Sequence, residues 1–253
     1  TSLLNYHENV RMVMLKKAIK EKILDLVNHS GYVTLEFLAQ ELETSESTVR
    51  RDLTELDHPH KLKRLHGGAE SLESLRYEEN VAEKSVKHVA EKCLIAKKAV
   101  EKLEDGDVIF MDAGTTVAMM TPYISDVGNL TVVTNSVHTA SELLDRQIKT
   151  IVIGGVVKAT TDAVTGNVAV QQIMSFNFSK AFVGANGISR DGGITTPDDE
   201  EATIKRLVLG QAKKKFILAD SSKLGKIYFA KIAEFDKSIE IITEEINDLH
   251  SNT

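Results

Sequence analysis

Glycine, hydroxyl, amide and charged residues are concentrated in five short loops of the sequence, each directly after an apolar run. The loops are 112–116, 134–136, 154–155, 184–187 and 220–223. Glycine lets a backbone approach a ligand closely, threonine hydroxyls and amides hold phosphate, and lysine supplies a compact positive charge. Carboxylate and amide groups hydrogen-bond the hydroxyls of sugars. The loop contents therefore predict a site for a phosphorylated carbohydrate.

Most candidate ligand residues come from these loops. They are Asp112, Gly114, Thr115, Thr116, Asn135, Ser136, Gly154, Gly155, Asn186, Gly187, Asp220 and Lys223. Each loop also has an ordinary structural interpretation: the 154–155 pair as a backbone turn, Asp112 as a cap on its own loop, and 220–223 as a helix start with a solvated lysine. The repetition of such loops after successive strands favours a shared site.

The elements that must position these loops are six short runs of β-branched and apolar residues. The runs are 108–111, 130–133, 150–153, 181–183, 216–219 and 239–242. They lack polar alternation, which is typical of strands covered on both faces, and they alternate with helical stretches. Parallel strands place their carboxyl ends at one edge, where ligands bind in open α/β sheets. The sequence therefore predicts a mainly parallel α/β domain over 105–253, with the five loops at one crevice.

A second set of functional groups lies between Ser45 and Leu56. Ser45 is a good N-cap, and Val49, Leu53 and Leu56 recur at i, i+4 and i+7, which predicts a helix with one apolar face. Its other face offers hydroxyl and guanidinium groups of the kind that bind DNA phosphates and base edges. These candidate DNA contacts are Ser45, Ser47, Thr48, Arg50 and Arg51. An amphipathic helix with solvated arginines is the alternative interpretation.

The sequence around this helix predicts two earlier helices and a later β-hairpin. An apolar stripe over 15–27 indicates the first helix, and Thr34 is positioned to cap the second. After the third helix, the 62–65 segment runs into two glycines and fits a small wing. The wing residues predicted to contact DNA are Lys63, Arg64 and His66. We therefore predict a winged helix-turn-helix over 14–69.

Charge limits how this first domain would bind DNA. Residues 1–76 carry 11 Lys and Arg against 12 Asp and Glu, a net charge of −1, within a chain of net charge −6. DNA-binding domains are usually basic overall. Most of these cations are concentrated in the predicted helices and around the wing, which favours a small specific footprint, with weak non-specific binding that salt removes.

The remaining segments support a regulatory protein of the cytoplasm. Residues 70–104 are predicted to form a linker and one long connecting helix that begins near Ala82, and residues 1–13 show too little periodicity to expect order. The single cysteine, Cys93, excludes an internal disulfide and favours a reducing compartment. We expect neither a membrane span nor a signal peptide, because no apolar run has the required length or flanks.

Several motifs resemble those of a known family. The run R-R-D-L at 50–53, followed by K-R-L-H-G-G-A at 63–69, resembles the signature of the DeoR family of bacterial transcriptional regulators. Similar motifs follow in order at 83–85, 112–116, 195–198 and 218–223, so the resemblance covers about 14–245. Within the family, the motifs resemble those of the fructose-operon repressors of Gram-positive bacteria. Pro59 and His60 depart from the family pattern, which has an acidic run and then glycine.

This resemblance implies a repressor of a sugar-utilisation operon that is controlled by a phosphorylated sugar. The resemblance favours fructose 1-phosphate as this effector, and the phosphates of tagatose, galactitol and other sugars remain alternatives. The family's sensor domain is similar to the ribose-5-phosphate isomerase fold, which implies a phosphate loop at 114–116 and a polar lid over 193–205. The further ligand candidates are Lys158, Thr195, Glu201 and Lys205. Glu201 and Lys205 lie one helical turn apart, so the alternative interpretation is that they form an ion pair with each other at the surface.

The expected partners are double-stranded operator DNA, a sugar phosphate and further copies of the chain. A homodimer or homotetramer is expected because one recognition helix offers too small an interface for operator specificity. We expect no cofactor and no metal. The alternative function is a sugar-phosphate isomerase with an accessory DNA-binding domain, which requires a carboxylate base and a cation. Related isomerases carry a second acid in the segment matching 184–187, where this chain has Asn186, so we expect no enzyme.

Overall fold

The chain folds into two compact units, Thr1–Tyr77 and Glu78–Thr253. The computed structural model describes residues 2–58, 61–71, 75, 78–124 and 127–245. The predicted connecting segment, 70–104, spans the boundary between the units, and both helices formed from it belong to the second unit. The sequence departure at Pro59 and His60 lies outside the described residues.

The first unit has the predicted winged helix-turn-helix order. Its elements are α1 (Ser2–Ser30), β1 (Tyr32–Thr34), α2 (Leu35–Glu41), α3 (Glu46–Asp57), β2 (Lys63–Leu65) and β3 (Gly68–Glu70). Thr34 and Ser45 cap α2 and α3 as predicted, accepting hydrogen bonds from the N–H groups of Phe37 and Thr48 at 3.1 and 3.3 Å. The expectation that residues 1–13 lack order is wrong from residue 2, because α1 begins at Ser2.

The predicted apolar face of α3 is buried against the other helices and the wing. Val49 and Leu53 are fully buried in one cluster with Ile23 of α1 and Leu38 of α2. The three strands form an antiparallel sheet in the order β1-β3-β2. This sheet requires glycine at position 68, because a Cβ atom there would lie 2.0 Å from the carbonyl oxygen of Val33.

The second unit is built on a six-stranded sheet. Its elements are α4 (Val81–Ser85), α5 (Val89–Val100), β4 (Val108–Met111), α6 (Thr115–Ala118), β5 (Thr131–Thr134), α7 (Val137–Asp145), β6 (Lys149–Val152), β7 (Val156–Val157), β8 (Val164–Thr165), α8 (Asn167–Met174), β9 (Phe178–Gly184), β10 (Gly187–Ser189), β11 (Gly193–Thr196), α9 (Asp199–Gly210), β12 (Ala212–Leu218), β13 (Ala230–Ala233) and β14 (Ile239–Ile242).

The large sheet has the order β14-β12-β9-β4-β5-β6, and every neighbouring pair is parallel. The predicted α/β class and all six predicted strands are confirmed. Helices pack on both faces, so apolar clusters lie on either side of the sheet. The prediction of cover on both faces is wrong for β6, an edge strand whose Ile151 and Val152 are exposed. A β10-β11-β13 sheet and a β7-β8 hairpin were not predicted.

The predicted long connecting helix is instead two helices, α4 and α5. His88, which precedes α5, has the left-handed backbone conformation with φ of 52°, so the helix cannot run through it. Val86 and Val89 recur at helical spacing in the sequence, as the apolar face of one long helix would, but both are exposed. Without burial of these side chains, little favours a continuous helix across the break.

The close packing of Gly68 predicts a selective effect on the first unit. We expect Gly68→Ala to lower the free energy of unfolding of this unit by roughly 1–3 kcal/mol, because the added methyl group overlaps the Val33 carbonyl. Gly67→Ala is the matched control, since a Cβ atom there would lie 3.6 Å from the Tyr32 hydroxyl, an ordinary contact. Hydrogen exchange of the β1 and β3 amides measures the effect. Equal protection in the two variants would contradict this packing.

Candidate functional site

A cavity of about 280 Å³ lies in the second unit, where the loops after β4, β9 and β12 meet. Its position at the carboxyl ends of parallel strands is the one predicted. Half of the predicted ligand residues line it, namely Gly114, Thr115, Thr116, Asn186, Glu201, Lys205, Asp220 and Lys223. The loops after β4, β9 and β12 therefore converge, together with α9.

Residues that the sequence analysis did not single out complete the cavity. They are contributed mainly by the segment from Glu78 to α5, and the polar ones among them include Glu78, Glu79, Lys84, Lys87, His88, Lys92, Thr161 and Lys226. This segment was interpreted as a linker and a connecting helix. The available signal in the sequence was a group of three lysines within nine residues, 84–92, which begins five residues after a pair of glutamates.

The cavity lining is rich in positive charge. Six lysines face four carboxylates, those of Glu78, Glu79, Glu201 and Asp220. Burial lowers the pKa of Lys92 and of Lys223, and the nearby Asp220 carboxylate offsets this only in part. Lys92 donates to the main-chain carbonyl of Lys84, and across the residues that the structure describes neither Lys92 nor Lys223 forms an ion pair with a carboxylate. Buried cations of this kind favour an anionic ligand.

A buried ion pair forms one wall of the cavity. Lys205 Nζ donates to Asp112 Oδ2, which also accepts the N–H of Gly184 at 3.0 Å. Burial lowers the pKa of Lys205, but the charges of Asp112 and Glu201 outweigh it and leave the pKa raised. Asp112, predicted to bind sugar hydroxyls, is therefore engaged behind the cavity wall.

Glu201 and Lys205 are both buried, so the alternative of a surface ion pair is wrong. The Thr161 hydroxyl donates to Glu201 Oε1 at 2.5 Å, and burial raises the pKa of the Glu201 carboxyl. The expected polar lid over 193–205 is also wrong. Its first part is the buried strand β11, and Asp198 begins α9 by accepting the N–H of Glu201 at 2.9 Å.

The Asp220 carboxylate has one satisfied and one unsatisfied oxygen. Oδ1 accepts the N–H of Ser222 at 3.1 Å and also the Ser222 hydroxyl. Oδ2 is buried and has no hydrogen-bond partner within the described part of the chain. A buried acceptor without a partner is costly. The geometry therefore suits a hydroxyl donor supplied by a ligand.

The other predicted ligand residues do not line the cavity. They are Asp112, Asn135, Ser136, Gly154, Gly155, Lys158, Gly187 and Thr195. Asn135 Oδ1 accepts the N–H of Ala113 at 3.1 Å and so fixes the loop after β4. Ser136 caps α7 by accepting the N–H of Thr139 at 3.1 Å. Gly154 donates its N–H to Gln172 Oε1 at 2.6 Å.

The remaining four of these residues have structural roles in close packing, ion pairing and hydrogen bonding. A Cβ atom on Gly155 would lie 2.4 Å from the carbonyl oxygen of Thr165, and one on Gly187 would lie 2.5 Å from that of Lys226. Lys158 pairs with Asp198 and, at 3.6 Å, with Glu200. The Thr195 hydroxyl oxygen accepts the N–H of Tyr228 at 2.9 Å. These residues hold the framework around the cavity.

In the first unit, most of the predicted DNA contacts are exposed, and three of them line one groove. Ser45, Ser47, Arg50 and Arg51 of the α3 segment are exposed, and Thr48 is half-buried. Arg50, Arg64 and His66 line one open groove between α3 and the wing, with Lys63 in β2. The Arg64 guanidinium donates to the Thr54 hydroxyl at 2.6 Å, and the Arg64 N–H donates to Asp57 Oδ1 at 3.0 Å, so the wing is tied to α3.

Comparisons with known proteins agree with this two-part architecture. Residues 20–75 match the DeoR-like helix-turn-helix domain, and residues 87–245 match the DeoR C terminal sensor domain. The chain is 38% identical over 231 residues to the HTH-type transcriptional regulator FruR of Bacillus subtilis (strain 168), covering 91% of this chain and 92% of that one. It is 36% identical over 233 residues to a lactose phosphotransferase system repressor of Staphylococcus epidermidis, with 90% and 92% covered.

Among solved structures, ribose 5-phosphate isomerase A of Methanocaldococcus jannaschii matches with a TM-score of 0.39 and 18% identity, over 53% of each chain, so the match spans about half of that protein. In the described residues, no helix is both long enough and apolar enough to cross a membrane.

The two family domains together account for most of the sequence, and the relatives match over nearly their full length. The chain belongs to the DeoR family of transcriptional regulators.

Proposed function

We propose that this protein represses a sugar-utilisation operon and that a phosphorylated sugar bound in the second unit controls it. The observation that carries the proposal is the lysine-lined cavity, in which Lys92 is buried and Lys223 half-buried, both without a carboxylate ion-pair partner among the described residues. Fructose 1-phosphate is the first candidate, because FruR and the lactose phosphotransferase system repressors are among the relatives.

The cavity offers separate groups for the two parts of such a ligand. Lys92 and Lys223 supply positive charge for the phosphate, and charge-assisted hydrogen bonds to phosphate are stronger than neutral ones. The unsatisfied Oδ2 of Asp220 accepts a sugar hydroxyl. A volume of about 280 Å³ suits a small polar molecule better than a drug-sized apolar one.

The first unit supplies the DNA contacts. An exposed recognition helix that carries Arg50 and Arg51 enters the major groove, and the wing with Arg64 and His66 contacts the backbone beside it. A homodimer or homotetramer would present paired helices to a symmetric operator. The sugar phosphate acts by binding the DNA-competent and DNA-incompetent arrangements with different affinities.

We propose further that the site binds its ligand without converting it. An isomerase needs a carboxylate base at the cavity surface and a cation that stabilises the enediolate. Asp112 is engaged by Lys205 behind the wall, and the Asn186 amide is not a base. Of the carboxylates that line the cavity, Glu201 is engaged by the Thr161 hydroxyl and is the candidate base that the turnover test below addresses.

Replacement of Arg50 or Arg51 by alanine tests the DNA-contact surface. We expect roughly tenfold to hundredfold weaker operator binding in a mobility-shift titration, since each arginine contact to DNA is worth about 1–3 kcal/mol. Arg146→Ala is the control, because Arg146 is an exposed arginine of the second unit. Operator affinity that is unchanged in both Arg50→Ala and Arg51→Ala would exclude α3 as the recognition helix.

Thermal-shift screening against a panel of sugar phosphates tests the ligand. A bound sugar phosphate raises the melting temperature by mass action. We expect Lys223→Ala to weaken the best ligand roughly tenfold to hundredfold, through loss of a charge-assisted hydrogen bond, and to leave operator affinity unchanged without ligand. Lys213→Ala, which removes an exposed lysine outside the cavity, is the control. A panel without any binder, or a normal response from Lys223→Ala, refutes this site.

Incubation with ribose 5-phosphate and with fructose phosphates tests the absence of turnover. We expect no isomer above the rate without protein, when products are followed by NMR at high protein concentration. Sustained turnover that is lost in Glu201→Gln would establish the isomerase alternative instead.

A further inference from the structure

The segment 78–88, here called the strap, brings its own carboxylates into the cavity. Glu78 Oε1 pairs with Lys84 and also accepts the side-chain amide N–H of Asn186 at 3.3 Å. Glu79 Oε1 lies 2.6 Å from Lys87 Nζ. Both glutamates and both lysines line the cavity. The Glu78 carboxylate therefore already binds one cation, Lys84, and one amide donor, Asn186. A bound anion with several oxygens would use the same two groups.

The strap carboxylates are partly removed from water and lie among the lysines of the cavity. The side chains of Glu78 and Lys84 are only 11% and 19% exposed, so water screens this pair weakly. Burial alone raises the pKa of Glu79, but the hydrogen bond from Lys87 and the charges of Lys223 and Lys84 outweigh it and leave the pKa lowered. Glu79 is thus close enough to Lys223, which is proposed to bind the phosphate, to interact with its charge.

Only the first residues of the strap depend on these ion pairs. From Asn80 onward, the strap has other attachments: Asn80 and Glu83 form a capping box at the start of α4, and the Val81 N–H donates to the Thr160 carbonyl at 2.9 Å. Glu78 is the first residue of the second unit and follows Tyr77, the last residue of the first. Loss of the two ion pairs, together with the hydrogen bond from Asn186 to Glu78, would therefore release the residues that join directly to the DNA-binding unit.

We propose that Glu78 and Glu79 are internal substitutes for the phosphate, which an anionic effector displaces from the strap lysines. Without effector, the carboxylates hold the start of the second unit on the cavity. A phosphate, with more acceptor oxygens and a higher charge than a carboxylate, takes over Lys84 and Lys87 together with Lys223. The two glutamates then leave for solvent. This inference rests on the proposed function, because it concerns the regulation of the same site.

Neutral variants of the two carboxylates test the exchange. In Glu78→Gln/Glu79→Gln, the competing anions are gone while side-chain size and hydrogen bonding to Asn186 are retained. We expect inorganic phosphate and fructose 1-phosphate to bind this variant roughly fivefold to tenfold more tightly than the wild type in calorimetric titration, because the neutral amides no longer compete with the anion for Lys84 and Lys87. Glu101→Gln, which removes an exposed carboxylate outside the cavity, should leave both affinities unchanged.

Proteolysis of the wild type gives a second readout that no folding defect can obscure. A glutamate-specific endoprotease should cleave after Glu78 or Glu79 faster when phosphate is present, as measured by mass spectrometry of the fragments. Unchanged or slower cleavage overturns the exchange. So does equal or weaker phosphate binding by a folded double variant, which would make the glutamates part of the ligand site rather than its competitors.

These outcomes separate the exchange from the proposed function. If inorganic phosphate binds the double variant more tightly but no sugar phosphate binds better than phosphate itself, the exchange holds and the sugar-phosphate proposal fails. If a sugar phosphate binds the wild type but the double variant gains no affinity, the site stands and the exchange fails. If neither probe binds either protein, both fail.

Discussion

The second unit depends on one buried carboxylate, that of Asp112. Asp112 directly follows β4, accepts the N–H of Gly184 at the end of β9, and pairs with Lys205 of α9. Three elements are therefore joined at the point where the cavity opens. Loss of one partner of a buried ion pair typically costs about 3–5 kcal/mol, since the other charge is left uncompensated. Because Asp112 satisfies Lys205, the positive charge available to a ligand comes from the lysines on the other walls, above all Lys92 and Lys223.

The charge distribution of the cavity links recognition to regulation. Among the described residues, Lys92, which is buried, and Lys223, which is half-buried, form no ion pair with a carboxylate, whereas Lys84 and Lys87 are paired with glutamates of the strap. We propose that the first pair provides affinity for an anion and that the second makes this affinity depend on the position of the strap. A ligand can shift a conformational equilibrium only by its difference in affinity for the two states. Competition between phosphate and carboxylate for the same lysines is a direct physical source of such a difference.

Much of the architecture could be predicted from the sequence because it depends on local patterns. Caps and helical periodicity located α2 and α3, and unbroken apolar runs located the parallel strands, whose carboxyl ends necessarily share one edge. The strap could not be predicted in this way. Its valines fit a helical stripe, but Val86 is exposed, and the lysines face a cavity formed by residues far away in the sequence. The interpretation of Gly155 as a ligand contact failed for a similar reason: its close packing on Thr165 depends on a hairpin that the pattern did not reveal.

The central claim is that buried lysines of the second unit hold the phosphate of the effector. The most direct measurement is a ³¹P NMR pH titration of fructose 1-phosphate bound to the protein, compared with the free compound. Lysines around the phosphate stabilise its dianion, so the second phosphate pKa, about 6 in phosphorylated side chains, should be clearly lower in the complex. A bound phosphate that titrates as it does in free solution would contradict the account.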